Sequence, residues 1–267
     1  MYKLIVSDLD GTLLTPAHCI SDRTKSVIQA LVRRGFPFVI ATGRHFLDVN
    51  HIRQALEVEM YLITANGARV HDSQGKLIYQ QNIEPALVKA LLQPEFTQGT
   101  VVNMYRDEGW FIDQPLPWLL ATHQVSGFQY QLFHPQHDAG LGVSKVFYIA
   151  EHAALLGLKA RLEAYFGSGT LAITFSIPEC LEVMHKAVSK GEALRQVAQL
   201  QGILLAECLA FGDGLNDYEL LSMAGKGLVM RNAHDALKAR LPQQEVIGHH
   251  AEDAVAQYLV THYQLPL

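Results

Sequence analysis

The chain has 267 residues, of which 49% are hydrophobic and 18% charged, with a formal net charge of −5. This is enough apolar material for a sizeable core and too much for a disordered chain, and the scattered Lys and Arg form no basic stripe that would take nucleic acid. Cys19, Cys180 and Cys208 lie far apart with no disulfide or metal spacing, acidic residues by position 8 do not suit a signal peptide, and no apolar run reaches the ~20 residues that span a bilayer, so a cytoplasmic protein without a membrane partner is expected.

In chain order, Leu4-Ile5-Val6 is a short apolar run that predicts a buried parallel strand. It runs into Asp8 and Asp10. Residues i and i+2 of an extended segment project to one side, and two carboxylates that close repel unless a cation or a shared proton lies between them. Ser21 is then an N-cap for a helix carrying Val27, Leu31 and Val32 at helical spacing and ending at Gly35. A second strand, "FPFVIA", leads into Thr42-Gly43-Arg44. A helix over about 46–56 follows, then a third strand ending in a loop with Asn66 and Gly67. This rhythm predicts a parallel sheet with right-handed crossovers. A hairpin turning at Ser73-Gln74-Gly75 comes next.

From about residue 83 the texture changes to short alternating strands, a helix over about 152–166, and half of the Trp and Tyr residues, both tryptophans among them. At Ser189 the earlier rhythm returns, with helices over 190–201, 215–224, 233–239 and from about 251, and strands "CLAFGD", "GLVM" and "EVIG" between them. The expected fold class is α/β: a Rossmann-like parallel-sheet core, residues 1–82 and 188–267, carrying an inserted α+β domain over 83–187.

Ligands of an open parallel sheet bind beyond the carboxyl ends of its strands. There this sequence places Asp8 and Asp10, Thr42 and Gly43, Asn66, and then Asp213, Asn216 and Asp217, with Lys190 opening a nearby helix. A carboxylate cluster of this kind suits a hard dication, and a few carboxylates with water is the Mg²⁺ preference. An EF-hand fails on spacing, since the sixth position from Asp8 is Leu13 and the twelfth is Cys19. Thirteen histidines include His134/His137 and His249/His250, but neither pair has a Cys or Glu partner at zinc spacing. Lysine, backbone N–H groups and Mg²⁺ together hold a phosphate dianion. One aspartate is then a nucleophile toward phosphorus and the other a proton donor and acceptor.

Four segments in this order, "DLDGTLL", "VIATGR", the lysine of "SKGEAL" and "FGDGLND", resemble the motifs of haloacid dehalogenase-like phosphatases. The insertion between the second and third resembles the type IIB cap of the Cof subfamily. The resemblance implies that Asp8 is the nucleophile and a Mg²⁺ ligand, and that Asp10 is the acid and base, ligating the metal through its backbone carbonyl. It makes Asp213 the remaining carboxylate on Mg²⁺, with Asp217 orienting it. Leu9, Thr42, Gly43, Lys190 and Asn216 would bind the transferring phosphoryl group, and Arg44 and Asn66 would touch substrate or steady the loops. The sequence departs from the family pattern at His185 and Ala187, on the return to the core, and at Arg231.

The activity so implied is hydrolysis of small phosphorylated metabolites, such as sugar phosphates or pyridoxal phosphate, by a monomer or weak homodimer. A phosphomutase or phosphoryl carrier would use the same residues. A non-catalytic binding protein of this fold is the third reading, and intact Asp8, Asp10, Lys190 and Asp213 argue against it. No GxGxxG follows the first strand to support a dinucleotide enzyme.

Overall fold

The computed structural model describes residues 1–121 and 123–266. Among these residues the strands are β1 (Leu4–Ser7), β2 (Phe38–Ala41), β3 (Tyr61–Thr64), β4 (Arg69–His71), β5 (Leu77–Gln80), β6 (Val101–Arg106), β7 (Gly109–Ile112), β8 (Tyr130–Leu132), β9 (Lys145–Ile149), β10 (Leu171–Ile177), β11 (Cys180–His185), β12 (Cys208–Gly212), β13 (Lys226–Val229) and β14 (Glu245–Val246). They form two sheets, ordered β14-β13-β12-β1-β2-β3-β4-β5 and β10-β11-β9-β6-β7-β8.

The first sheet is parallel from β14 to β3, with β4 and β5 added antiparallel as the hairpin foreseen from the sequence. Its central strands are buried on both faces and therefore read as continuous apolar runs, such as Leu4-Ile5-Val6 and Phe38-Val39-Ile40. Strand β1 pairs with β12 on one side (Leu4 with Cys208, Ser7 with Phe211) and with β2 on the other (Ile5 with Phe38). The chain winds outward from β1 in both directions, so β1 stands at the topological switch point where open α/β sheets bind ligands. Parallel register then brings the residues after β1, β2, β3 and β12 to one edge.

The second sheet is mixed and forms a cap domain. Alternation along its strands separates two faces. Val102, Met104, Val146, Tyr148, Leu181 and Val183 pack in one apolar cluster with Leu155, Leu158 and Leu162 of the helix His152–Phe166. Tyr105, Trp110, Phe147 and Met184 project the other way and pack with Ala65 and Ala68 of the core.

Three helix starts differ from the sequence reading, and the simplest is the helix expected over 233–239, which runs Asp235–Arg240 behind an N-cap at His234. The segment 215–224 is a 3₁₀ turn, Leu215–Asp217, followed by a helix, Tyr218–Met223. The Asp217 carboxylate takes the N–H groups of Asp213 and Gly214, which ties it to the preceding loop. The last helix begins at Ala254, because Asp253 adopts a left-handed φ of 52° after a 3₁₀ turn at His250–Glu252.

Candidate active site

Asp8 follows β1, and its N–H donates to Phe211 O at 3.0 Å, which fixes the nucleophile candidate against β12. Lys190 is the first residue of the helix Lys190–Leu200, whose N-cap Ser189 accepts from Glu192 N at 3.1 Å. Its side chain is fully buried and donates to Asp8 Oδ1 and to Asp217 Oδ1, both at 2.6 Å. Asp217 Oδ2 accepts from the N–H groups of Asp213 and Gly214 at 2.9 Å each. Asp213 Oδ1 in turn accepts from Thr12 Oγ1 at 2.7 Å. Carboxylate oxygens of Asp8, Asp213 and Asp217 lie within 4.8 Å of one another.

Three carboxylates share one buried ammonium, so negative charge is in excess. Burial, reinforced by the charge of Asp217 and only partly offset by Lys190, pushes the Asp8 carboxyl well above the usual range. Burial and Asp217 likewise raise Asp213 to about 6. For Lys190 burial works downward, but the charges of Asp217 and Asp8 prevail and raise it. Such an arrangement fits a hard dication, whose charge relieves the repulsion. Both Asp217 oxygens are already engaged, which leaves Asp8 and Asp213 as the freer donors and Asp217 as their support.

Asp10 sits apart from this cluster. Its carboxylate is held by Arg44, with Nε donating to Oδ2 at 2.7 Å and Nη2 to Oδ1 at 2.5 Å, and His18 Nδ1 lies 3.7 Å from Oδ1. Burial opposes ionisation, but the nearby His18 imidazole and the Arg44 guanidinium outweigh it and hold Asp10 down at about 2. Arg44 is therefore a partner of the acid–base candidate, and it also reaches Asp48 Oδ2 at 3.4 Å.

Leu9 lies between the two aspartates in the turn Leu9–Leu13, where Gly11 has φ +73°. A Cβ at Gly11 would stand 2.3 Å from Asp213 Oδ2, so glycine is required on both counts. Thr42 is buried after β2 and accepts Arg44 N at 3.1 Å. Beside it, a Cβ at Gly43 would meet Asn66 Oδ1 at 2.9 Å. Asn66 Oδ1 accepts from Asn216 Nδ2 at 3.0 Å. The structure thus gathers Asp8, Asp213, Asp217 and Lys190 into one group and Thr42, Gly43, Asn66 and Asn216 beside it.

Several contributors escaped the sequence reading. Thr12 was within the quoted motif, two residues after Asp10. Lys145 and Glu182 carry no local signal, because what brings them here is the seating of the cap on the core, and His18 and Asp48 enter through Asp10 and Arg44 within the core itself. Of the departures from the family pattern, His185 pairs with Glu84 at 3.2 Å and accepts from Ala187 N at 3.1 Å, ordering the return to the core. Arg231 forms an exposed ion pair with Glu252 at 2.5 Å.

Residues 5–259 match the family model of the haloacid dehalogenase-like hydrolases. An HMP-PP phosphatase of Cronobacter sakazakii is 40% identical over 263 residues, covering 98% of this chain and 96% of its own. A haloacid dehalogenase-like hydrolase from B. subtilis superposes with a TM-score of 0.86 at 25% identity, over 96% of this chain and 98% of that one. The fold of a subclass IIB sugar phosphatase, 22% identical, superposes with a TM-score of 0.84 over 98% and 99% of the two chains. A family match over nearly the whole length and a phosphatase relative at 40% identity lead to one assignment: the chain belongs to the haloacid dehalogenase-like hydrolases and is a Cof-type phosphatase with a IIB cap.

Proposed function

We propose that the protein is a Mg²⁺-dependent phosphomonoesterase that acts on small phosphorylated metabolites through an aspartyl-phosphate. The observation that carries this reading is the Asp8 carboxylate, ion-paired to a fully buried lysine inside a group of three carboxylates at the switch point of the sheet. Residues 1–82 and 188–267 act as the catalytic core in this reading, and 83–187 as the cap.

Asp8 attacks phosphorus with one carboxylate oxygen. The bond from phosphorus to the ester oxygen breaks, and the leaving oxygen takes a proton from Asp10. Water then attacks the aspartyl-phosphate and gives its proton to Asp10, and inorganic phosphate leaves as Asp8 is regenerated. Lys190 Nζ and the N–H groups at Leu9 and Gly43 hold the phosphoryl oxygens, with the Thr42 hydroxyl and Asn216 amide beside them. Asp8, Asp213 and the Asp10 carbonyl would hold Mg²⁺, which when bound neutralises charge on those oxygens. Arg44 keeps Asp10 ionised, the form needed to accept the proton from water.

The test is phosphate release from a panel containing sugar phosphates, pyridoxal phosphate, HMP-PP and para-nitrophenyl phosphate, with Mg²⁺, with EDTA, and with Asp8→Asn. Metal-dependent release that Asp8→Asn abolishes supports the reading. No release from any ester by the folded protein would sink it, and transfer of phosphate to a second sugar in place of water would turn it into a mutase.

A further inference from the structure

The cap sets a buried ion pair against the catalytic loops. Lys145 on β9 and Glu182 on β11 are 2% and 3% exposed, and Lys145 Nζ donates to Glu182 Oε1 at 2.5 Å. Both reach across to the core: Lys145 Nζ donates to Gly43 O at 2.7 Å, and Glu182 Oε2 accepts from Asn66 Nδ2 at 2.6 Å. Stability alone does not account for such a pair, since apolar residues of similar volume usually serve as well.

Its consequence falls on Asn66. A carboxylate can only accept, so Glu182 fixes which end of the Asn66 amide faces it. Nδ2 turns to the cap, and Oδ1 turns to Asn216 and to the space a Gly43 side chain would fill. One lone pair of Oδ1 takes Asn216, and the other remains available. Asn66 holds this position at φ +57°, and the preceding Ala65 is also left-handed at φ +48°. Strain of this kind persists where the surroundings enforce it. Asn66 and Asn216 also line a cavity of 240 Å³ between cap and core, lined on the cap side by Thr174 and Met184 among others. That volume is below the ~300–1,000 Å³ of drug-sized ligand sites.

We propose that this cavity holds the leaving group, and that Asn66 Oδ1, oriented by Glu182 and Lys145, selects compact phosphate monoesters whose leaving group carries a hydroxyl or amino donor close to the ester oxygen. The proposal rests on the phosphatase reading above. Asn66 touches the substrate, whereas Glu182 and Lys145 are positioning residues acting through it. A site built to accept a hydrogen bond rejects an analogue lacking the donor, because the acceptor is then left unpaired.

Two esters of nearly equal size isolate the donor: 2-hydroxyethyl phosphate and propyl phosphate. The wild-type protein with Mg²⁺ is expected to favour the hydroxyethyl ester by at least tenfold in kcat/KM. In the double variant Lys145→Met/Glu182→Met, which removes both charges together and leaves neither unpaired, the ratio is expected to fall toward one. A general loosening of the fold would lower both esters alike and leave the ratio standing. Thr174→Phe, on a half-buried strand position, tests the cavity separately by narrowing it. It is expected to raise the ratio of acetyl phosphate to para-nitrophenyl phosphate turnover at least tenfold. A wild-type ratio near one, or a ratio the double variant leaves unchanged, overturns the recognition by Asn66, and an unchanged ratio in Thr174→Phe overturns the cavity assignment. Failure of the wild type to hydrolyse any of the four compounds would instead overturn the phosphatase reading.

Discussion

Arg44 grips Asp10 with two donors on one edge of its guanidinium, at 2.7 Å and 2.5 Å, and holds the carboxylate away from Asp8, Asp213 and Asp217. This bidentate pair is the strong form of a charge-assisted hydrogen bond, and it keeps Asp10 at about 2 together with the nearby His18 imidazole. To protonate a leaving oxygen Asp10 must first gain a proton. Loss of the Arg44 charge raises the Asp10 pKa toward the ordinary carboxylate value, so at a given pH more of the enzyme carries that proton. In Arg44→Met the alkaline limb of the kcat/KM profile is therefore expected to move up by about one pH unit. An alkaline limb that stays in place would remove Arg44 from the control of Asp10.

Excess negative charge around Lys190 makes Asp8→Asn a dissociation of stability from function. The variant loses the nucleophile, and phosphate release is expected to fall by at least ~10³-fold. It also deletes a buried charge whose ionisation burial and Asp217 disfavour. Without metal, Asp8→Asn is expected to melt a few degrees above the wild type, about 2–4 °C for each kcal/mol gained. Added Mg²⁺ should stabilise the wild type more than the variant. Equal melting curves with and without metal would refute the account of the cluster as repulsive.

Lys190→Met is expected to act the other way. It leaves Asp8 and Asp217 buried without their cation, and breaking a buried pair from one side costs about 3–5 kcal/mol. A urea titration should show that loss as a lower midpoint. Addition of Asp217→Asn should recover part of it, because the orphaned charge is removed.

Acid sensitivity is expected to come partly from His45. Its Nδ1 accepts from Leu47 N at 3.1 Å, so Nε2 carries the proton and donates to Arg106 O at 2.6 Å, a bond from the core to the cap. Burial lowers its pKa from 6.5 to about 4. The unfolded chain therefore binds the proton more readily, and stability present above pH ~6.5 is lost as the pH falls to about 4. A shift of this size corresponds to roughly 3 kcal/mol for one histidine. Comparing urea midpoints at pH 7.5 and pH 4.5 should show a smaller drop in His45→Asn, whose side chain keeps a cap acceptor without titrating. An identical drop in both proteins would place the acid sensitivity elsewhere.

What the sequence revealed and what it hid divide along one physical line. Asp8, Thr42, Asn66 and Asp213 were legible because each follows a strand, and a parallel register fixes where strand ends go. Lys190 was legible as the first residue of a helix with a Ser189 cap. Lys145 and Glu182 were hidden because their partners are 37 or more positions away, and an isolated charge inside an apolar strand gives no spacing to read; Asp48 stands four residues after Arg44 on a helix, a spacing that reads as an ordinary surface pair. The orientation of the Asp10 carboxylate was hidden for the same reason. The motif sets its position, but Arg44 and His18 decide where it points.

Gly11 ties the two aspartate groups together, and its replacement tests that link. Its φ of +73° costs an L-residue roughly 1–2 kcal/mol, and the added Cβ would fall 2.3 Å from Asp213 Oδ2 and 2.8 Å from its Cγ. Asp213 cannot yield without losing Thr12 Oγ1 at 2.7 Å, and the Gly11 carbonyl is itself held by Asn232 Nδ2 at 2.7 Å. Gly11→Ala is therefore expected to displace Asp213 from Asp8, weaken Mg²⁺ by at least tenfold and lower kcat by more. Stability is expected to fall by only a few kcal/mol, since the turn is at the edge of the core. Mg²⁺ titration of activity separates the two effects. A variant that recovers full kcat at high Mg²⁺ has lost metal affinity alone, and one that does not has also moved the carboxylate. Wild-type Mg²⁺ dependence in Gly11→Ala would show that the Asp213 carboxylate takes no part in holding the metal.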